Sequence, residues 1–158
     1  MTAVAGTRTA AVLALAVVAA FAAAAAAPGR PGDAETRSDE EAIRATIERY
    51  FEGHRTGHGD AAASAFHPIA RLAWIREGAL TTRSLEEYLA GFSGRPADDE
   101  DRRRRRVVNV DVAGDAAVAR LELDYPDATI TDFMTLLEVD GEWKIVHKSF
   151  HVQPKEAS

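Results

Sequence analysis

Apolar residues at helical spacing predict three helices in the part of the chain before residue 95. The first apolar stripe follows positions i, i+4, i+7 and i+8 and consists of Ile43, Ile47, Tyr50 and Phe51. Ser38 and Glu41 precede it with the pattern of a capping box, which predicts that this helix begins at Ser38. A second, shorter helix over 61–66 is expected to be capped by Asp60 and ended by Pro68.

The third predicted helix follows a second capping box, formed by Ser84 and Glu87. Its apolar stripe falls at i, i+3, i+4 and i+7 and comprises Leu85, Tyr88, Leu89 and Phe92. Gly91 and Gly94 are expected to close this helix, because glycine favours helix ends.

Strand-like segments and turn residues predict a pair of short strands and then four consecutive long ones. The short pair covers 71–75 and 79–83 and is joined by a Glu77-Gly78 turn. The long strands cover 106–112, 117–125, 131–139 and 142–152. Gly114-Asp115 and Asp140-Gly141 have the composition of hairpin turns. Helices first and an antiparallel meander last predict an α+β fold with the helices on one face of the sheet.

The first 27 residues have the pattern of a signal peptide. A single cation, Arg8, precedes an alanine-rich apolar run that ends in small residues at 25–27. A retained membrane anchor is the alternative, although alanine partitions weakly into lipid. Residues 28–37 are rich in Pro, Gly and charge and are predicted to form a flexible linker, so the domain is expected to span 38–154. The protein is therefore expected to be secreted or periplasmic, or membrane-anchored if the leader is not cleaved.

Composition narrows the range of functions. The chain has 158 residues, a formal net charge of -6 and no cysteine. An acidic chain is poorly suited to general nucleic-acid binding, which depends on neutralising phosphates. An exported domain without cysteine has no disulfide to close a loop, so its stability has to come from packing.

Several short segments follow one another in an order that indicates a family. They are IERYFEG at 47–53, AFHP at 65–68, IREG at 75–78, SLEEYL at 84–89, VNVDVAGDAAVARLEL at 108–123 and TDFMTLLEVDGEWKIVHKSFH at 131–151. In this order the chain resembles the nuclear transport factor 2-like superfamily, and within it the putative lumazine-binding family of bacterial proteins. The final hairpin is the most specific of the six segments.

This resemblance implies a cone-shaped, strongly curved antiparallel sheet with three helices packed on its concave side and a pocket at the open end. It also implies that dimers are frequent. The superfamily includes isomerases, dehydratases, polyketide cyclases and plain binding modules, so the fold alone does not assign a reaction. One departure concerns Ile69, since relatives often carry an acidic residue after His-Pro, and no role is carried over to that position.

The last predicted strand carries a candidate ligand-binding stripe. Simple alternation places five residues on one face, which changes from apolar to polar along the strand: Trp143, Ile145, His147, Ser149 and His151. Such a gradient suits a cone with an apolar base and a polar mouth, which makes Trp143, His147 and His151 candidate ligand-binding residues. The alternative is that the apolar residues are core and the histidines face water. The two histidines lie about 13 Å apart on a strand, too far to share one metal ion.

Asp132 and His67 are the candidate catalytic residues. A buried carboxylate at Asp132 is a candidate general base, and the alternative is that it pairs with Lys148. A three-residue turn would place Asp132 opposite Lys148, and a two-residue turn would place it opposite Ser149. His67, before Pro68, is either a hydrogen-bond donor or base at the mouth of the cone, or a residue that fixes a corner by bonding a backbone carbonyl. In the enzyme hypothesis Tyr88 or His151 acts as a hydrogen-bond donor.

Two further patterns have ordinary structural explanations. His54 and His58 have metal-like spacing but lack the glutamate of a zinc helix, and they are interpreted as a solvated helix end. The run Arg102–Arg106 follows four acidic residues and is interpreted as a solvated loop and strand entry, with Arg104 and Arg106 on the face opposite to Arg103 and Arg105.

Three hypotheses follow. The first is an exported module that binds a small apolar or partly aromatic molecule, with Trp74 and Tyr88 as a stacking surface and without a metal or cofactor. The second is an isomerase, dehydratase or cyclase that uses Asp132 or His67 as general base. The third is a dimerising interaction domain, which would show a contiguous apolar patch on the outer face of the sheet. A homodimer is expected and no nucleic-acid partner.

Overall fold

The computed structural model describes residues 31–156 of the chain. The predicted signal peptide and residues 28–30 of the predicted linker lie outside this part. The helices are α1 (Pro31–Thr56), α2 (Gly59–Ala65) and α3 (Leu85–Leu89), with a 3₁₀ turn at Glu100–Arg102. The strands are β1 (Phe66–Arg76), β2 (Ala79–Ser84), β3 (Arg104–Ala113), β4 (Ala116–Asp124), β5 (Ala128–Val139) and β6 (Glu142–Pro154). None of the helices in the described part has the length and apolarity of a bilayer span.

Helix α1 begins at Pro31, so the prediction that it begins at Ser38 is wrong. Residues 31–37, which were expected to be flexible, form its first turns. Proline is well accommodated in a first helical turn, because the backbone N–H that it lacks would have no partner within the helix at that position. Ser38 therefore lies inside the helix and not at its N-cap.

A glycine contact sets how closely the first two helices pack. A Cβ at Gly53 would lie 2.5 Å from the Cβ of Ala62, so no larger residue fits between α1 and α2 at this point. Helix α1 ends at Thr56, and Gly57 follows with φ +73, a conformation that glycine adopts at little cost. Helix α2 ends at Ala65, directly before β1.

Helix α3 is shorter than predicted and ends at Leu89, although its start is as expected. Ser84 accepts a hydrogen bond from the amide of Glu87, whose carboxylate accepts one from the Ser84 amide, which confirms this capping box. Phe92 lies beyond the helix, in the loop that leads to β3.

One curved, open, six-stranded sheet carries the domain, with the strand order β2-β1-β6-β5-β4-β3. All neighbouring strands are antiparallel except β1 and β6, which are parallel. The chain turns at Glu77-Gly78 and Asp140-Gly141 with positive φ at both residues of each pair, as the type I′ turn of a two-residue hairpin requires. The predicted α+β architecture with four consecutive antiparallel strands is therefore confirmed.

A β-bulge interrupts the pairing of β5 with β6. Leu136 pairs with Ile145, and Thr135 pairs with His147, so Val146 is an extra residue in β6. Because side chains alternate across a strand, the bulge changes which residues of β6 face the helices. Before it, Trp143 and Ile145 face inward; after it, the inward residues have even numbers, beginning with Lys148.

The hydrophobic core lies between α1 and the concave face of the sheet. Its fully buried members come from α1, α2, β1, β4, β5 and β6, and the largest are Ile43, Ile47, Tyr50, Leu72, Leu121, Leu123, Met134, Leu136 and Ile145. The predicted α1 stripe is thus confirmed as core.

Candidate functional site

A cavity of about 180 Å³ opens between α1, α3 and the inner face of β1, β2, β4, β5 and β6. Its lining combines aromatic, aliphatic and cationic side chains: His54, Leu72, Trp74, Arg83, Tyr88, Leu123, Ile130, Lys148 and Phe150. A mostly apolar wall with a few converging polar groups is typical of a small-molecule site.

The outer wall of this cavity is aromatic. Trp74 of β1 and Phe150 of β6 stack with their ring centroids 5.1 Å apart and their planes at 23°. The two residues are direct neighbours because β1 and β6 pair in parallel with Trp74 opposite Phe150. The guanidinium of Arg83 lies 5.3 Å from the Trp74 ring centroid. Trp74, a predicted ligand-binding residue, thus lines the cavity and is half-buried, and its binding role stays a prediction.

The inner end of the cavity holds a buried ion pair. The Nζ atom of Lys148 lies 2.9 Å from Oδ2 of Asp132, and the two side chains are 6% and 0% exposed. The hydroxyl of Tyr50 donates to the same Oδ2 atom at 2.6 Å and accepts from Lys148 Nζ at 2.6 Å. Burial, followed by the negative charge of Asp132, raises the pKa of Tyr50 well above its usual value, so its hydroxyl stays protonated.

Asp132 pairs with Lys148, which was the alternative to its being a general base. The bulge at Val146 makes neither predicted register correct, because Asp132 lies directly opposite Phe150 and reaches Lys148 diagonally. Asp132 does not line the cavity. Lys148, which does, and Tyr50 both contact the Asp132 carboxylate. Its Oδ1 atom is buried and has no hydrogen-bond partner. The geometry therefore makes Asp132 the counter-ion of Lys148 and gives it no direct contact with a ligand in this cavity.

His54 and Tyr88 form a hydrogen-bonded pair on the cavity wall, with His54 Nε2 and the Tyr88 hydroxyl 2.7 Å apart. Burial, and then the positive charges of Lys148, Arg105 and Arg103, lower the pKa of His54 well below its usual value, so its ring is neutral at pH 7. Burial, and then the charge of Asp132, raise the pKa of Tyr88, so Tyr88 keeps its proton. A proton can therefore be transferred between the Tyr88 hydroxyl on α3 and the His54 ring on α1.

The prediction of one ligand-binding stripe along β6 is wrong. His147, Ser149 and His151 lie on the outer face of the sheet, because the bulge at Val146 shifts them away from Trp143 and Ile145. His151 is exposed and His147 half-buried. Neither histidine reaches the cavity described here.

Trp143 and His67 also lie away from this cavity. Trp143 is 3% exposed and belongs to the core, where its carbonyl accepts a hydrogen bond from the Thr46 hydroxyl. His67 lies in β1, and its Nδ1 accepts a long bond of 3.4 Å from the Ile69 amide. That contact fixes the strand entry locally, although the partner is an amide and not the expected carbonyl. Ile69 itself is 67% exposed.

A second depression of about 280 Å³ adjoins the cavity and shares His54, Arg83 and Tyr88 with it. Arg95 and Arg103 complete its cationic lining.

The predicted alternation of the arginine run is confirmed, but the expectation that the whole run is solvated is wrong. The Arg105 side chain is 5% exposed, pairs with Glu100 and lies 5.1 Å from the ring centroid of Tyr125.

Besides three aliphatic lining residues, sequence reasoning missed four polar or aromatic residues of the cavity wall: His54, Arg83, Lys148 and Phe150. A signal for His54 was available, because it lies four residues after Tyr50 and extends the buried α1 stripe by one turn. The signal for Lys148 was not, since its inward direction depends on the bulge.

Comparison with known proteins gives a family, a named relative and solved structures. The sequence profile of the family described as "Putative lumazine-binding" matches residues 38–151. A protein named Aldolase FrzH, from Cladobotryum sp, is 25% identical over 120 residues, which cover 76% of this chain and 96% of that protein. An NTF2-like protein of unknown function from Silicibacter pomeroyi DSS-3 is 26% identical with a TM-score of 0.66, covering 75% of this chain and 98% of that one.

A further NTF2-like protein of unknown function, from Shewanella baltica OS155, is 24% identical with a TM-score of 0.69 and covers 75% of this chain and 97% of that one. These structural matches confirm the predicted nuclear transport factor 2-like fold.

We expect the buried ion pair to make a strongly coupled contribution to stability. Asp132→Asn or Lys148→Met alone should lower the free energy of unfolding by about 3 to 5 kcal/mol, because each leaves its partner buried without compensation. The double variant should lose less than the sum of the two, by at least about 1 kcal/mol. Urea denaturation followed by circular dichroism measures all three values.

Glu122→Gln is the control for that cycle, because it breaks the exposed pair with Arg106 and should cost less than about 1 kcal/mol. Strictly additive effects of Asp132→Asn and Lys148→Met would contradict the assignment of a coupled pair.

His54 should make the stability depend on pH. The folded state holds the pKa of His54 below that of the unfolded chain, so below about pH 6.5 the unfolded state binds more protons. The contribution of neutral His54 to the free energy of unfolding is complete above that pH. It is lost as the pH falls, at up to about 1.4 kcal/mol per pH unit. In urea midpoints between pH 5 and 7.5, His54→Gln should show a shallower slope than the wild type. The exposed His58→Gln is the matched control, and equal slopes for all three proteins would refute the prediction.

Proposed function

We propose, for a chain that belongs to the "Putative lumazine-binding" family, that the cavity between Trp74 and Lys148 binds a flat, partly aromatic small molecule. The family and the structural neighbours support a small-molecule-binding domain of the nuclear transport factor 2-like type. The single observation that carries the finer proposal is that one cavity has an aromatic wall at one end and hydrogen-bond donors at the other.

The aromatic wall and the donors would act on different parts of the ligand. The exposed parts of Trp74 and Phe150 offer apolar surface against which a planar ring can pack. At the inner end, Lys148 is paired with the Asp132 carboxylate and offers N–H donors, and Tyr88 keeps its hydroxyl proton. When His54 donates to the Tyr88 oxygen, the Tyr88 hydroxyl is left to donate to a carbonyl or ring-nitrogen acceptor of the ligand.

Lumazine is a suitable first probe, because it is planar and carries carbonyl groups at one end. Titration should quench the fluorescence of Trp74 in a saturable way, and Trp74→Phe should remove the response while the buried Trp143 still emits. Tyr88→Phe should weaken binding about three- to tenfold through the loss of one hydrogen bond. Quenching that persists in Trp74→Phe, or the absence of saturation, would reject this site.

A catalytic role of aldol type is the second candidate, and the relative named Aldolase FrzH favours it. Such chemistry requires removal of a proton from the carbon next to a carbonyl and stabilisation of the enolate oxygen. We propose that the Tyr88 oxygen takes the carbon-bound proton while its own hydroxyl proton passes to Nε2 of neutral His54. The Lys148 ammonium group then stabilises the charge that develops on the enolate oxygen.

Proton exchange tests this reaction without knowledge of the natural substrate. In D₂O, the protein should accelerate loss of the α-proton signals of 4-phenylbutan-2-one in NMR spectra. Tyr88→Phe or His54→Gln should reduce that acceleration by about 100-fold or more, and the exposed His58→Gln should not. Exchange at the buffer rate, or unchanged exchange in His54→Gln, would exclude the proton relay.

The outer face of the sheet supports a further proposal, a homodimer. Four apolar side chains on β3, β4 and β5 are 38% to 52% exposed there: Val108, Val118, Phe133 and Leu137. A groove of about 550 Å³ runs between three of them. Asp111 and Arg120 flank Val118, so a second copy related by a two-fold axis can oppose apolar to apolar surface and acid to base.

Native mass spectrometry and light scattering should show a dimer for the wild type and a monomer for Phe133→Lys. Leu80→Lys is the matched control, because Leu80 is 72% exposed but lies on the β1–β2 hairpin. A monomeric wild type, or a dimer retained by Phe133→Lys, would contradict this interface.

A further inference from the structure

We propose that the ligand of this cavity is an anion, namely an aromatic or conjugated carboxylate whose charged end is bound at the mouth by Arg83. This inference rests on the proposed small-molecule function and deepens it by naming the ligand class.

Cations dominate the residues that line the mouth. Arg83, Arg95 and Arg103 line the outer depression, and Arg83 and Lys148 line the inner cavity. In the described part of the chain, no Asp or Glu lines either space. A guanidinium group can bind a carboxylate through two parallel hydrogen bonds, which makes arginine well suited to this ligand.

Arg83 differs from the other two arginines in how its charge is balanced. Arg95 and Arg103 pair with Asp98 and Asp99, whereas Arg83 forms no ion pair with any side chain of residues 35–156. Its carboxylate neighbour Glu87 accepts the hydrogen bond of the α3 cap. Arg83 therefore has donors available for a ligand, and it is held beside the face of Trp74.

The field inside the cavity has the same sign as the charges at its mouth. The charges of Lys148, Arg105 and Arg103 each lower the pKa of His54, after the larger effect of burial. Asp132 partly neutralises the charge of Lys148 but does not line the cavity. No acidic group faces the cavity from the elements described around it. This positive site occurs in a chain whose net charge is -6, so it is a local feature and not a result of composition.

The positions of Trp74 and Arg83 define the shape of the anion. Both residues line the inner cavity, and the guanidinium lies next to the indole ring. A planar ligand that packs against the exposed edges of Trp74 and Phe150 with its acceptor end toward Lys148 would have its outer end beside Arg83. The ligand class is thus a flat ring system with a carboxylate at the end opposite to its hydrogen-bond acceptors.

Calorimetric titration with 2-naphthoate and with 2-naphthamide tests the charge, because the two probes share a ring system and differ in the anionic group. We expect 2-naphthoate to bind at least about tenfold more tightly at low ionic strength, with a smaller ratio at high ionic strength. Arg83→Gln should lower naphthoate affinity to about that of the amide. Arg76→Gln is the matched control, since Arg76 is an exposed arginine of the same hairpin and lies outside the cavity.

Each result decides the inference. Equal or tighter binding of the amide, or unchanged naphthoate binding in Arg83→Gln, would overturn it. If neither naphthalene probe binds while lumazine quenches Trp74, the anionic ligand class is rejected and the small-molecule function stands. If lumazine also fails to bind, both are rejected.

Discussion

One extra residue in the last strand decides which side chains form the pocket. Simple alternation along β6 would direct His147 and His151 inward with Trp143, but the bulge at Val146 reverses the order. Lys148 and Phe150 then face the helices, and the two histidines face the outer surface. The stacked pair of Trp74 and Phe150 depends on the same shift, since an uninterrupted strand would place Phe150 on the other face.

Turning a lysine inward creates an electrostatic requirement that Asp132 and Tyr50 satisfy. A buried ammonium group without a partner would be costly, and Oδ2 of Asp132 and the Tyr50 hydroxyl both lie within hydrogen-bond distance of it. The arrangement is not optimised for stability, because Oδ1 of Asp132 remains buried without a partner. Apolar residues of similar size would fill such a space at less cost. This polar cluster places the Lys148 side chain on the wall of the cavity, where the proposed binding function uses it.

The fold was largely predictable from the sequence, and the site only partly. The α1 stripe, the Ser84 cap and the Asp140-Gly141 turn are local patterns, and each formed where local chemistry placed it. The bulge is different, because no residue near Val146 has a composition that signals it and its cause lies in pairing across the sheet. An error of one residue in a strand exchanges its two faces, so a small uncertainty in register became a complete error about the β6 histidines. For Asp132 and Lys148 the alternative of an ion pair is confirmed, in a register that neither turn model contained.

The charge distribution shows why net charge is a poor guide to the ligand of a small domain. Acidic residues in this chain sit mainly where water or a neighbouring cation screens them, as Asp98 does with 90% of its side chain exposed. Arg83 and Lys148, in contrast, both line the cavity, and Lys148 is buried, so its charge acts more strongly on its surroundings. The pKa of His54 responds to these cations although the protein as a whole is acidic. Recognition at the proposed site would therefore depend on the few charges that share the cavity with a ligand, and not on the excess of carboxylates outside it.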